Sequence, residues 1–353
     1  MNTIFNIIIA LIVFSFIIFF HELGHFLLAK KNGIFVNEFA IGMGPALFSF
    51  QKKETKYSIR AIPMGGFCAM LGEDEAVMDE HSFSVKSVWA RISVVIAGPV
   101  FNFILAFLLS LILIGVCGYD APTVGGFSDG SPAKEAGVLE GDLITHFNGH
   151  RIYNFREILV YMQIGQTGED ITLNVMRDGK AYEYTFTPEK TDTGYRIGVA
   201  SAGYQKGDAI TVAKYSALEL RYQIKTVFLS LKYLVTGKIG VKNMSGPVGI
   251  VSMMSDTINE AKESAAGDTK LAIINVVLNM INFAILLSAN LGMMNLLPFP
   301  ALDGGRTFLL LIEAFFKKKL PADKEAIINM VGFVLLILLM IVVMFQDIFK
   351  LLK

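Results

Sequence analysis

The chain has 353 residues, 53% of them apolar, and its formal net charge at pH 7 is +0. This balance offers neither the basic surface that nucleic acid requires nor a strong field for an acidic partner, so we predict no nucleic-acid binding. The high apolar content instead directs attention to membrane segments.

Hydropathy predicts four transmembrane helices, since four apolar runs are each long enough to cross about 30 Å of hydrocarbon. The first run lacks a basic start and a small-residue cleavage site, so a removable signal peptide is not expected. The lipid bilayer is therefore a predicted partner. The four runs cover about 3–29, 91–117, 273–299 and 327–349.

The first predicted span contains His21-Glu22-Leu23-Gly24-His25. On a helix, positions i and i+4 share one face, about 6 Å apart along the axis. Both imidazoles can thus reach one zinc ion, and Glu22 between them is placed to act as a general base. Ionisable groups at membrane depth are costly and generally functional. The pattern predicts peptide-bond hydrolysis at a zinc site in the bilayer. The alternative is a polar pair that snorkels from a helix end to the interface.

Loop charge predicts the orientation. Two connections are rich in lysine and arginine, which favours the cytoplasmic side and places both termini and residues 118–272 outside. These basic residues are Lys30, Lys31, Lys52, Lys53, Lys56, Arg60, Lys86 and Arg91 in the first connection, and Arg306, Lys317, Lys318, Lys319 and Lys324 in the second.

A catalytic zinc needs a third protein ligand and an open position for water. Asp303 is the candidate, because it follows the cytoplasmic end of the third predicted span at a depth similar to the histidine pair. Two prolines and two glycines break this segment, and such breaks occur where the backbone is buried in protein or lines a wet cavity. The alternative is a helix-end turn aspartate at the interface.

HELGH in the first span and LLPFPALDGGR at the third resemble the site-2 proteases, specifically the bacterial intramembrane zinc proteases with an extracytoplasmic PDZ domain. A single PDZ unit can be recognised, a pattern more similar to the proteins of Gram-positive bacteria. Further matching segments are Gly42-Met43-Gly44-Pro45, Ile62-Pro63-Met64-Gly65-Gly66-Phe67, Ala97-Gly98-Pro99-Val100-Phe101-Asn102 and Ser245-Gly246-Pro247-Val248-Gly249.

The resemblance implies that His21, His25 and Asp303 bind Zn²⁺ and that Glu22 activates the water. It also implies that Asn295 holds the substrate backbone, although an amide that bonds a neighbouring helix explains Asn295 equally well. The implied substrate is a transmembrane protein, such as an anti-sigma factor or a signal-peptide remnant. The implied location is the bacterial inner (cytoplasmic) membrane, with the active site near the cytoplasmic face.

Residues 55–72 are too short and too interrupted by Pro63, Gly65 and Gly66 for a span, and they are predicted to form a β-hairpin. The resemblance implies that the hairpin associates with the membrane beside the active site, where an exposed strand edge could hold an extended substrate. A soluble cytoplasmic hairpin is the alternative.

Residues 119–203 resemble a bacterial PDZ domain, in which Ser131 and Pro132 open a helix and Asn148-Gly149 makes a hairpin turn. Strands are predicted at 171–177 and 181–187, around Asp178-Gly179. A PDZ domain binds a chain end or extended peptide by adding a strand, and the strand over residues 195–199 is the candidate border of that groove. Beyond it, apolar periodicity predicts a helix over 210–235, and 255–270 reads as a linker or short helix.

The predicted fold is a polytopic α-helical membrane protein with four transmembrane helices, an inserted extracytoplasmic PDZ (α+β) domain and a membrane-associated β-hairpin. Two rivals to the protease stay open: a membrane PDZ scaffold with a structural metal site, and a zinc transporter, which would need polar residues in the outer halves of the spans. The predicted segments are 1–29 (first span), 30–90 (cytoplasmic-side loop with the hairpin), 91–118 (second span), 119–203 (PDZ domain), 204–272 (amphipathic helix and linker), 273–305 (third span), 306–326 (cytoplasmic loop) and 327–353 (fourth span).

Overall fold

The computed structural model of the chain describes residues 2–73, 77–165, 168–191, 194–237, 240, 245–318 and 322–351. The chain divides into two units. Unit 1 comprises Met1–Leu109 and Val241–Lys353, and unit 2 comprises Ser110–Gly240. Lys319 of the predicted basic connection lies outside the described residues.

Unit 1 begins with a long helix, a pair of long strands and a second long helix. The first helix, Asn2–Lys31, carries the HELGH sequence, and the second, Val88–Cys117, remains helical through Pro99. Both are long and apolar enough to cross a membrane, as the hydropathy predicts. In chain order these elements are α1 (Asn2–Lys31), β1 (Val36–Lys52), β2 (Thr55–Met70) and α2 (Val88–Cys117).

The strand pair differs from the predicted hairpin over 55–72. Residues 38–41 of β1 pair on one side with 56–59 and on the other with 66–69, both within β2. The two halves of the predicted hairpin therefore pair with β1 and not with each other, so that prediction is wrong in its pairing. Gly42 and Gly44 adopt φ of +86° and +82°, where glycine is favoured, and let β1 bend between its pairings. Among the described residues, 66–70 form one edge of the resulting sheet.

Unit 2 contains a four-stranded antiparallel sheet in the order β6 (His150–Arg151), β5 (Leu143–Phe147), β7 (Ile171–Arg177) and β8 (Lys180–Phe186). The predicted strands at 171–177 and 181–187 correspond to β7 and β8, and Asn148 and Asp178 have the positive φ that the predicted tight turns require. Its elements are β3 (Tyr119–Asp120), β4 (Val124–Phe127), α3 (Pro132–Glu135), β5 (Leu143–Phe147), β6 (His150–Arg151), α4 (Phe155–Gly165), β7 (Ile171–Arg177), β8 (Lys180–Phe186), β9 (Glu189–Thr191), β10 (Gly194–Arg196), β11 (Val199–Ser201), β12 (Tyr204–Gln205) and α5 (Ala209–Val235).

The core of unit 2 lies between this sheet and α4, where Ile144, Phe147, Leu173 and Ile158 are buried. The predicted helix over 210–235 is confirmed as α5. It contacts α4 through charged side chains: Glu157 of α4, which is only 1% exposed, forms an ion pair with Lys225 of α5.

Unit 1 resumes with four further helices: α6 (Pro247–Glu263), α7 (Thr269–Asn295), α8 (Asp303–Phe316) and α9 (Ala322–Leu351). Helices α7 and α9 are the third and fourth candidate membrane spans. Three predicted boundaries change. Helix α6 occupies much of the segment predicted as a linker or short helix, α7 ends before the prolines, and α8 fills half of the predicted loop over 306–326. The segment was predicted as a loop from its basic residues alone. The apolar residues of α8 recur at helical spacing, which would have indicated the helix.

Two buried polar contacts join the helices of unit 1. Asn6 of α1 donates a hydrogen bond to Ser255 Oγ of α6, with an N–O distance of 2.9 Å. Asp347 of α9, 2% exposed, accepts a 2.8 Å hydrogen bond from the Gly249 N–H in the first turn of α6. Asn6 thus places a polar side chain in the predicted outer half of the first span, where it contacts another helix. Its contact with Ser255 is typical of polar groups that join helices in membranes.

Candidate metal centre

The HELGH sequence places its two histidines on one face of α1, as the i, i+4 spacing predicts. The imidazole rings of His21 and His25 are 7% and 8% exposed and lie edge to face, with centroids 4.8 Å apart. Their Nε2 atoms are 3.2 Å apart and point to a common position. Two imidazole nitrogens held this close in a buried site require a shared cation or proton between them.

Asp303 reaches this position from the first turn of α8. The seven residues between α7 and α8 (296–302) form a turn, and Gly304 and Gly305 lie against its backbone. A Cβ on either glycine would overlap backbone atoms of Leu297 or Phe299. The Asp-Gly-Gly sequence therefore allows the turn and the helix start to approach closely enough to present the Asp303 carboxylate.

The three donor atoms have the spacing that zinc requires. Asp303 Oδ2 lies 3.1 Å from His21 Nε2 and 3.5 Å from His25 Nε2. Ligand bonds of about 2.0–2.2 Å in tetrahedral geometry separate the ligand atoms by about 3.3 Å. Asp303 Oδ2 is also buried without a hydrogen-bond partner among the described residues. The residues present therefore fit a zinc ion. They form a cluster of His/Cys/Asp/Glu side chains, within the part of the chain that the structure describes, that could hold a metal ion.

The outer ring nitrogens of the histidines face α2. His25 Nδ1 lies 2.9 Å from the Val94 carbonyl oxygen, which can only accept, so Nδ1 carries the proton and Nε2 keeps its lone pair. His21 Nδ1 lies 3.1 Å from the Asn102 side-chain amide, whose Oδ1 has no partner among the described residues. Rotation of the Asn102 amide by 180° lets its Oδ1 accept a hydrogen bond from the His21 Nδ1–H and leaves His21 Nε2 free to bind a metal.

Close packing of α2 on α1 brings these groups together. A Cβ at Gly98 would overlap Nε2 of His25 and approach Cε1 of His21 to 2.7 Å. A Cβ at Gly24 would overlap the Ala97 carbonyl. The two glycines thus set the distance between the helices, as small residues do where membrane helices cross closely.

Glu22 lines the same cavity, whose volume is about 330 Å³. Cys68 of β2 lines the cavity beside it. The edge segment 66–70 passes along the cavity wall, together with Glu73 and Arg306. The cavity therefore combines three candidate metal ligands, two further carboxylates (Glu22 and Glu73) and one edge of the strand pair.

Asn295, the last residue of α7, lies at the rim of this cluster. Its side-chain nitrogen is 3.4 Å from His21 Nε2. The structure thus brings together all five residues that the sequence singles out: His21, Glu22, His25, Asn295 and Asp303.

Sequence reasoning missed three contributors. Asn102 and Gly98 belong to a segment recognised only as a family match, where a polar residue four positions after a glycine in an apolar span was an available signal. Arg306 was counted only as loop charge. Its guanidinium binds the Glu73 carboxylate and carbonyl, each at 2.6 Å, and so ties α8 to the end of β2.

Two histidines and a carboxylate beside a further glutamate, set among long apolar helices, are the arrangement of a zinc-dependent hydrolase of the membrane. The profile of peptidase family M50 matches residues 9–339, and the chain belongs to this family. It is an intramembrane zinc metalloprotease of the site-2 type and a multi-pass membrane protein.

Relatives align over nearly the whole chain. A candidate zinc metalloprotease of Clostridium acetobutylicum is 42% identical over 98% of this chain and 97% of its own length. The regulator of sigma-W protease RasP of Bacillus subtilis is 34% identical over 98% of this chain and 99% of its own length. A candidate zinc metalloprotease of Campylobacter jejuni is 34% identical over 96% of this chain and 91% of its own length.

A solved PDZ domain of an SdrC-like protein from Listeria monocytogenes matches 24% of this chain and 88% of its own length, with 24% identity and a TM-score of 0.21. A similarity this small carries no weight for the fold of unit 2.

Proposed function

We propose that His21, His25 and Asp303 hold the zinc ion of this protease and that Glu22 is its general base. The observation that supports this assignment best is the spacing of 3.1–3.5 Å among the three donor atoms, close to that of a tetrahedral zinc site. Asp303 joins the histidines although it belongs to a different helix, so the cluster depends on the tertiary fold.

Bound zinc would polarise the scissile carbonyl and lower the pKa of a bound water to about 7. Glu22 would accept the proton of the attacking water and deliver it to the leaving amine. Val94 and Asn102 hold the imidazoles in the tautomer that binds metal through Nε2. Asn295 donates its amide N–H groups to the substrate backbone; the alternative is an amide that joins neighbouring helices.

A protease needs its substrate extended, and the edge segment 66–70 is placed to hold it by backbone pairing. Phe67, Cys68, Ala69 and Met70 all line the cavity. The sheet of β1 and β2 also exposes large apolar side chains, which supports its association with the membrane. These include Met43, Leu47, Phe48, Phe50, Ile59 and Ile62.

Unit 2 acts as an extracytoplasmic PDZ domain in this proposal. A groove between α4 and residues 195–200, which run from β10 into β11, is lined largely by apolar side chains, including Ile158, Met162 and Val199. Such a groove suits a chain end or an extended peptide that adds a strand. Basic residues near the inner ends of the spans support the orientation with unit 2 outside and the zinc site near the cytoplasmic face.

The substrate class is then a single-span protein of the bacterial inner membrane, such as an anti-sigma factor or a signal-peptide remnant. The test is mass spectrometry of the products from a model substrate incubated with the purified full chain. Cleavage within the substrate's transmembrane segment, abolished by a zinc chelator and restored by zinc, is expected. Cleavage only in soluble segments would place the reaction outside the bilayer and contradict the proposed substrate class, and no cleavage with zinc bound would favour the scaffold with a structural metal site.

A further inference from the structure

Helix α8 has an apolar face that no described residue covers. Phe308, Ile312, Phe315 and Phe316 are 52%, 39%, 79% and 72% exposed. Their spacing of four, three and one residues places them on one side of the helix. The opposite side is buried: Leu310 packs with Phe83 and Ile92. The helix therefore has one face fixed to the protein and one face that needs an apolar environment.

The depth of α8 follows from its contacts with the spans. Its first residue, Asp303, contacts His25 of α1. His25 lies about 9 Å before the end of α1 along the axis of that helix, at about 1.5 Å per residue. Its Glu313 pairs with Arg91, with an N–O distance of 3.1 Å, about one turn from the start of α2. The helix thus rises from the level of the metal centre to the ends of the spans.

A second residue indicates where the membrane interface lies near these ends of the spans. Trp89, the only tryptophan of the chain, is 63% exposed and stands two residues before Arg91. Tryptophan is enriched where hydrocarbon meets the headgroups. The C-terminal half of α8, held beside Arg91, therefore lies at headgroup level.

The end of α8 carries positive charge. Lys317 terminates the helix in the left-handed conformation, and Lys317 and Lys318 are both exposed. Neither lysine pairs with a carboxylate among the described residues. An exposed apolar stripe that ends in lysines at headgroup level has the properties of a helix that lies in the membrane interface and attracts anionic lipid.

We propose that α8 is an interfacial helix that docks on the lipid surface. Its stripe of Phe308, Ile312, Phe315 and Phe316 lies in the boundary between acyl chains and headgroups, and Lys317 and Lys318 bind anionic phospholipid headgroups. Because Asp303 is the first residue of α8, this docking also fixes the depth at which the carboxylate meets the histidines.

The test uses the full chain in vesicles, with one tryptophan placed on the stripe by Phe315→Trp in a Trp89→Phe background. Lipids brominated near the headgroup end of the acyl chain are expected to quench this tryptophan more than lipids brominated near the chain terminus, and iodide in water is expected to quench it weakly. Tyr182→Trp in the same background, in the sheet of unit 2, is the control for a water-exposed site.

The role of the Lys317 and Lys318 charges is tested with the same tryptophan, from Phe315→Trp, in vesicles where only a small fraction of the lipid is brominated. Brominated phosphatidylglycerol is expected to quench more than brominated phosphatidylcholine at equal mole fraction, with a local excess of up to about fivefold per lysine. Lys317→Gln with Lys318→Gln is expected to remove the difference, whereas Lys180→Gln with Lys190→Gln in unit 2 is expected to keep it.

These readouts need no proteolysis, so they are independent of the proposed catalytic roles. Equal quenching by the two lipids in the chain with both lysines would overturn the anionic-lipid proposal. Weak quenching by every lipid together with Phe315→Cys cross-links between chains would overturn it in favour of a second copy on this face, and strong iodide quenching would place the stripe in water.

Discussion

Gly98 of α2 lies directly against His25 of α1, at a point where a side chain of any size would enter the metal centre. A Cβ at this position would overlap Nε2 of His25. Because glycine has no side chain, the space beside the candidate ligands stays open on the side of α2.

Gly98→Ala is therefore expected to displace His25 and to reduce zinc content strongly in the purified protein. Gly115→Ala on the same helix is the matched control, because the added Cβ would lie more than 4 Å from every described residue apart from its chain neighbours and the backbone of its own helix. Metal analysis of both variants checks this relationship. Equal zinc content would mean that α2 does not approach the histidines as described.

Asn102→Leu is expected to weaken zinc binding by about 10–100-fold, the usual effect of removing a partner that orients a metal-binding histidine. Asn102→Asp keeps an acceptor for His21 Nδ1–H and is expected to recover most of the affinity. Competition with a chromogenic chelator measures both variants. A merely structural role would lower the thermal stability of both without this difference in zinc affinity.

Asp303→Ala is expected to release the zinc, since a three-ligand site that loses one ligand binds metal much more weakly than one that loses only an orienting partner. Asp129→Ala, at an exposed carboxylate of unit 2, is expected to keep full occupancy. Elemental analysis after gel filtration distinguishes them. Full occupancy in Asp303→Ala would leave the third ligand to be found elsewhere.

The stability of unit 2 is expected to depend on pH through Asp142. Burial alone raises the pKa of this carboxyl, but hydrogen bonds from Arg177, with N–O distances of 2.7 Å, and from the Leu139 N–H outweigh it, so the pKa lies below its ordinary value. The resulting stabilisation is present above about pH 4, the ordinary aspartate value, and is lost as the pH falls through the lowered pKa.

Hydrogen-exchange protection of residues 143–147, corrected for the intrinsic exchange rate, checks this in the full chain. Protection is expected to fall below about pH 4. Asp142→Asn is expected to lower the stability of unit 2 at neutral pH, because it removes the buried carboxylate that pairs with Arg177, and to show a weaker acid dependence. An unchanged acid dependence in this variant would assign the effect to other carboxyl groups.

The sequence was sufficient for parts of the site whose chemistry is local. The HELGH spacing on a helix predicts the paired imidazoles, and matching depth on a broken segment leads to Asp303. The turn signals Asn148-Gly149 and Asp178-Gly179 likewise predict the hairpins of unit 2, because each requires a backbone conformation that few residues adopt.

Features that depend on tertiary packing were not predictable in this way. The double pairing of residues 38–41 joins segments that are distant in sequence, and Gly42 and Gly44 there read as strand breakers. The roles of Gly98 and Asn102 exist only because α2 crosses α1 at the histidines. Helix α8 was hidden by the basic residues that marked its segment as a loop.

The central claim is that Glu22 supplies proton transfer at a zinc ion held by His21, His25 and Asp303. The most direct measurement is zinc content together with turnover of a model transmembrane substrate, for the wild-type protein and Glu22→Gln in the same membrane preparation. The account predicts full zinc occupancy in both and a loss of turnover in the variant of at least about 10²–10⁴-fold, the usual contribution of a general base. Turnover near the wild-type rate in zinc-loaded Glu22→Gln would contradict it.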